Sequence, residues 1–214
     1  MTCCVFAFAP VERGDWPLSR VPRSVRRFAA SINRNLRQLQ PRSNLALMSP
    51  PEVWLRGPIP AVPALLQPVA HSLLQCREEM RAHVAGLTPE QVWARPSGAA
   101  SIGFHARHAA GSLDRLFTYA RGERLSAAQL AALAAEAHPD LTPRVGAALV
   151  AAFDEAVERA LEQLRTTAER TLLDARGVGR AQLPSTVLGL LFHAAEHTQR
   201  HVGQLVTTEK VLCS

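Results

Sequence analysis

Leu191-Phe192-His193-Ala194-Ala195-Glu196-His197-Thr198-Gln199-Arg200-His201-Val202-Gly203-Gln204 sets three histidines four residues apart in a run with strong helical character. An α-helix turns every 3.6 residues, so residues four apart stack on one face, about 6 Å apart along the axis. Two imidazoles so placed can grip one metal ion, and a third ligand from a neighbouring helix completes a three-histidine site. Spacing alone admits either His193/His197 or His197/His201 as the pair.

Length and composition point the same way. The chain has 214 residues, enough for one domain or one domain with an appendage. It is 47% hydrophobic but only 5% aromatic, which favours a helical core of small and aliphatic side chains over a sheet. No apolar run is long enough to span a membrane, so a soluble protein with no membrane partner is expected. Cys3, Cys4, Cys76 and Cys213 show no paired or metal-ligand spacing and read as reduced thiols of a cytoplasmic protein, without assigned chemistry.

The net charge of +6 belongs to one end of the chain. Residues 1–47 hold eight arginines against Glu12 and Asp15, whereas residues 48–214 balance sixteen Lys and Arg with sixteen Asp and Glu. All eight histidines lie in the second part. A neutral folded domain, 48–214, thus follows a basic extension, 1–47, and its charge gives no reason to expect a nucleic-acid partner. The extension is broken by Pro10, Pro17, Pro22 and Pro41 and lacks sustained apolar periodicity. It reads as a disordered tail or as translated upstream sequence before a start at Met48. Its Arg-rich, acid-poor composition also fits a transit peptide or an arm for an anionic surface.

From Met48 onward, punctuation and periodicity predict four long helices. Pro68 opens the first, with a stripe of Val69, Leu73, Cys76, Met80 and Val84, ending near Leu87. Thr88-Pro89-Glu90-Gln91 is a capping box for a short helical turn. Ser101 caps a second helix, Ile102 to Arg121, closed by Gly122. Ser126-Ala127-Ala128-Gln129 opens a short crossover helix to about Ala137. Thr142-Pro143 starts a third long helix reaching about Leu173, and Pro184-Ser185 opens the fourth, which carries the histidines to about Thr208. No stretch reads as a convincing strand. The expected fold is all-α, an up-down four-helix bundle with a crossover segment between helices 2 and 3.

Bundles build metal sites from side chains pointing inward on facing helices. On the second helix His108 borders the core stripe Ile102, Ala109, Leu113 and Leu116, beside small Ala109 and Ala110 that let another helix come close. His105, one turn earlier, reads as a packed or exposed histidine.

Ser101-Ile102-Gly103-Phe104-x-x-x-His108, Leu113-Asp114-Arg115-Leu116 and Glu196-His197-x-x-x-His201-Val202-Gly203-Gln204 together resemble the DinB-like superfamily of damage-inducible, metal-binding four-helix bundles. That group includes thiol-dependent S-transferases and mycothiol-dependent maleylpyruvate isomerases. The resemblance covers about residues 55–210. It implies that His108 on the second helix and the pair His197 and His201 on the last hold a metal, because the family pattern places the second histidine of the pair just before x-Gly-Gln. His193 then becomes a neighbour in the pocket or outside the ligands, as do His105, Arg115 and Gln204. Arg115 shares a face with His108, so it can hold a substrate carboxylate or pair with an acidic side chain.

Other readings of these residues are blander. His193-Ala194-Ala195-Glu196-His197 fits the His-x-x-Glu-His pattern of inverted zinc proteases, but only seventeen residues follow His197 and Glu209 is their single acid. Glu196 therefore reads as a solvated or salt-bridged helix residue. His71, His83 and His138 read as surface or core fillers, and Trp54 and Trp93 as packing over bundle ends.

Three neutral imidazoles leave a divalent ion its full charge and an open position, which suits Zn²⁺, Ni²⁺ or a similar transition metal. Such an ion acidifies a bound water or thiol. The expectation is a metal-dependent enzyme acting on a small-molecule substrate, by hydrolysis or by thiol transfer, the latter on the resemblance alone. The alternatives are a non-catalytic metal- or ligand-binding bundle of a stress response and a structural helical protein. A homodimer is implied by the resemblance.

Overall fold

The computed structural model describes residues 50–213, all but Pro50 in the unit Pro51–Ser214. The predicted basic extension, 1–47, lies outside the described residues. Six α-helices occur among them: α1 Gln67–Val84, α2 Pro89–Trp93, α3 Ile102–Ala120, α4 Ala127–Ala135, α5 Val145–Thr166 and α6 Val187–Leu212. A two-stranded antiparallel sheet, β1 Ala175–Val178 and β2 Leu183–Thr186, lies between α5 and α6. The long helices pack crosswise. Both α1 and α3 lie against both α5 and α6, and α3 with α6 is the most extensive pairing.

The predicted stripes are the core. Val69, Leu73, Cys76, Met80 and Val84 of α1 are buried, as are Ile102, Ala109 and Leu113 of α3, Phe153, Val157, Leu161 and Leu164 of α5, and Leu191, Val202 and Leu205 of α6. Burial pushes the Cys76 thiol up to about 12, with Glu79 adding to the effect, so it is inert at neutral pH. The helices start where capping residues stand. Thr88 with Gln91, and Ser126 with Gln129, form complete capping boxes, Ser101 accepts from the Phe104 N–H, and Thr186 accepts from the Gly189 N–H. Gly146 marks the close approach of α5 to the end of α1, since a Cβ there would lie 2.4 Å from the Val84 carbonyl oxygen.

Three expectations of secondary structure need correction. The mostly helical fold is compatible with the all-α expectation, but the reading that no stretch forms a strand fails at residues 175–186, a hairpin registered Ala175 with Thr186 and Gly177 with Pro184. Its turn uses Gly179 (φ +68°) and Gln182 (φ +49°), and the Gln182 side chain lies over Gly177, where a Cβ would come within 2.3 Å of its Oε1. Consequently α6 begins at Val187, not at Pro184-Ser185, which belong to β2. The third long helix starts at Val145 behind a left-handed Arg144 (φ 65°) and ends at Thr166, short of Leu173.

Trp93 is half-buried. Its Nε1–H donates to the Asp140 carbonyl (2.7 Å), and its ring fills the space over Gly103, where a Cβ would lie 2.8 Å away. Trp54, expected to pack over a bundle end, is exposed and donates to Glu52. No helix among the described residues is long and apolar enough to cross a membrane.

Candidate metal centre

The α3–α6 contact faces two histidine-bearing surfaces toward each other. His105 and His108 come from the first turns of α3, and His197 and His201 from consecutive turns of α6. One ring nitrogen from each of His108, His197 and His201 lies within 4.8 Å of the others. His108 Nε2 is 3.0 Å from His197 Nε2. The His197 and His201 rings are 4.6 Å apart, and those of His108 and His201 are 4.4 Å apart. Phe104, one turn before His108, stacks on it at 5.4 Å and 16°.

His193 joins a different set. With Glu196 and His197 it makes a second group of close donor atoms, from which His108 is absent. His193 is exposed, its Nδ1 3.2 Å from Glu196, and Glu196 also pairs with Arg200. Glu196 is therefore salt-bridged, as its place on the helix suggests.

His105 is buried, only 7% exposed, and its Nδ1 lies 2.9 Å from His201 Nδ1. It thus packs against the cluster without joining its three-donor set. Gln204 is exposed and shares with His105, Arg200 and Thr207 an open cleft of about 480 Å³ beside the cluster. The remaining histidines have local roles: His71 Nε2 is 2.9 Å from the Gly57 carbonyl, His83 Nδ1 is 3.2 Å from Glu209, and the His138 carbonyl accepts from Arg107.

One residue at the centre has no counterpart in the sequence reading. Glu136, the C-cap of α4, is 5% exposed; its Oε2 is 2.7 Å from His108 Nδ1, and its Oε1 accepts from Arg115 Nη1 at 2.8 Å. Arg115 is itself buried and held by Glu136, which favours the paired reading over a substrate clamp. A trace of this was present in the sequence. A carboxylate ending an Ala/Leu helix sits at the negative end of the helix dipole, where it needs a cation.

Electrostatics disfavour protonation of His105, His197 and His201. Burial lowers the His105 and His197 pKa values, with His108 adding to both. Burial, then His108, His197, His105 and Arg200, bring His201 down to about 4. At Glu136 burial opposes ionisation, but the hydrogen bonds from His108 and Arg115 outweigh it and hold the carboxyl below its usual value. The residues fit a bound cation. Deprotonated imidazoles are the ligating form, their nitrogens converge, and His197 Nδ1 is buried without a protein partner.

The same shifts predict how the metal-free protein responds to acid. Unfolded His201 takes up a proton near its ordinary 6.5, while the folded form resists until about 4. Between those values the unfolded state binds more protons, so stability falls as pH falls. His105 and His197 act in the same direction, and Glu136 withdraws its contribution at still lower pH. Thermal melts in chelator from pH 7.5 to 5 should show a falling midpoint, with a shallower fall in His201→Ala. A midpoint independent of pH in the unsubstituted protein would contradict the burial of these imidazoles.

The sequence profile of the DinB superfamily matches residues 72–205. The matched span takes in His105, His108, Arg115, Glu136, His193, His197, His201 and Gln204, and reaches all four long helices. No curated protein matches the chain. The histidine groups can hold a metal ion, as the resemblance implied. The family match covers well over half of the residues, and the chain belongs to the DinB superfamily.

Proposed function

We propose that the protein is a divalent-metal-dependent enzyme in which His108, His197 and His201 are the ligands and a small molecule is transformed by thiol transfer or hydrolysis. The observation that carries this reading is the convergence of three half-buried imidazole donors from two different helices, with protonation of His197 and His201 disfavoured by burial. A divalent ion such as Zn²⁺ or Ni²⁺ supplies Lewis-acid polarisation and acidifies a thiol or water. The chain's own residues then have distinct tasks. His105 orients His201 through the 2.9 Å contact, and Phe104 shields one side of His108 from water. The cleft bounded by His105, Arg200, Gln204 and Thr207 receives the substrate. Thiol transfer is favoured over hydrolysis by the family's thiol-dependent transferases. We further read α1, α3, α5 and α6 as an up-down four-helix bundle with α4 as the crossover segment, in a domain spanning residues 48–214.

Protein purified without a nickel column should contain close to one equivalent of divalent metal by mass spectrometry. Chelation should abolish turnover of an electrophile with a low-molecular-weight thiol, or of a hydrolysable ester, and metal should restore it. Less than a tenth of an equivalent after growth in zinc-supplemented medium would defeat the metal assignment. Full occupancy without turnover would favour a non-catalytic binding protein.

A further inference from the structure

The segment between α3 and α5 is peculiar in how it is held. No residue of α4 itself is buried, and its large apolar side chains, Leu130 and Leu133, are 47% and 41% exposed. The buried side chain here belongs to its C-cap, Glu136, and it is charged. Glu136 is inserted between two groups of α3 one helical stretch apart, the imidazole of His108 and the guanidinium of Arg115. Space for this ion pair comes from Gly111, halfway between them on α3. A Cβ at 111 would lie 2.7 Å from both Arg115 Nη1 and Glu136 Oε1. The backbone of the segment is tied down as well, by Arg107, which donates to the Ala135 and His138 carbonyls.

These contacts give His108 a defined tautomer. An ionised carboxylate only accepts hydrogen bonds, so Nδ1 of His108 must carry the proton that it donates to Glu136. In the neutral ring Nε2 then keeps its lone pair and faces His197 Nε2 at 3.0 Å. Arg115 in turn offers one carboxylate oxygen a fixed cation, which leaves the other oriented toward the imidazole. Ring orientation and donor nitrogen are thereby set before any ligand arrives.

We propose that Glu136, pinned by Arg115 over Gly111, is a positioning residue that holds His108 as its Nδ1–H tautomer with Nε2 directed at the histidine cluster. The inference rests on the three-histidine reading for its consequence in metal affinity, but not for its statement about His108. Carboxylates in this relation to a ligating histidine typically change metal affinity by about 10–100-fold. Because the same carboxylate is the buried anchor of the crossover segment, beside Gln129, which donates to Asp114 and Thr118 of α3, docking of α4 and the orientation of His108 are linked.

Two measurements test this. In the metal-free protein at pH 8, ¹⁵N chemical shifts of the His108 ring should report a protonated Nδ1 and a bare Nε2. An Nε2–H tautomer in the unsubstituted protein would overturn the proposal whether or not the protein binds metal. The second uses Arg115→Met with Glu136→Gln, which leaves no unpaired buried charge, beside Glu136→Gln alone. Zn²⁺ titration should show affinity about 10–100-fold weaker than in the unsubstituted protein. Hydrogen exchange should quicken in residues 127–138 while α1, α3, α5 and α6 stay protected. A variant that folds, keeps the unsubstituted affinity and keeps α4 protected would overturn the positioning role. Failure of the unsubstituted protein to bind zinc would instead strike the three-histidine reading, with the tautomer still deciding this one.

Discussion

Changing His108, His197 and His201 together to alanine should abolish stoichiometric metal binding while the helices persist. The three positions lie within α3 and α6, where alanine is the best helix former, so the substitutions do not weaken the backbone locally. They also remove imidazoles that folding buries at a cost, which appears as the lowered pKa values of His197 and His201. The metal-free variant should therefore be no less helical than the metal-free parent. What disappears is the linkage of metal to folding. A ligand at a thousand times its dissociation constant stabilises the native state by about 4 kcal/mol, so zinc should raise the parent's melting temperature and leave the variant's unchanged. His193→Ala is the matched control. His193 is exposed and lies outside the three-histidine set, so its loss should leave metal binding near the parent's level. Retention of one equivalent of metal by the triple variant, or its loss from His193→Ala, would overturn the ligand assignment.

The parts of this site that were legible in the sequence are those that depend on one helix at a time. His197 and His201 stack because of helix periodicity, and the caps at Thr88, Ser101 and Ser126 announce their helices within a few residues. His108 followed from a stripe and a resemblance. Glu136 was not legible because it reaches His108 from 28 residues away through the packing of a crossover helix that has no buried face. The depth of His105 is tertiary too. Whether it faces solvent or His201 is decided by the crossing of α3 and α6, which spacing along α3 does not encode. The hairpin escaped for a different reason. Its strands are four residues each and only partly buried, so they show no alternation, and Pro184 in β2 imitates the first residue of a helix. Thr186, three residues before Gly189, was the true start.

Burial, rather than apolar character, should decide the cost of truncating side chains in this fold, and Phe153 against Leu133 makes the sharpest contrast. Phe153 sits in the middle of α5, fully buried in the hydrophobic core. Phe153→Ala removes most of a ring and leaves a cavity that helices packed on every side cannot close, a change worth about 3–5 kcal/mol. Set against a total stability of about 5–15 kcal/mol for a domain, that is enough to bring the metal-free protein near its unfolding threshold. Leu133 is equally apolar but lies 41% exposed on α4. Leu133→Ala loses little burial and gains helix propensity, so its effect should stay within about 0.5 kcal/mol. Denaturant unfolding in chelator measures both, read as midpoint shifts at constant slope. Comparable losses in the two variants would mean that α4 shares the core, and that Glu136 is held in place by apolar packing rather than by His108 and Arg115.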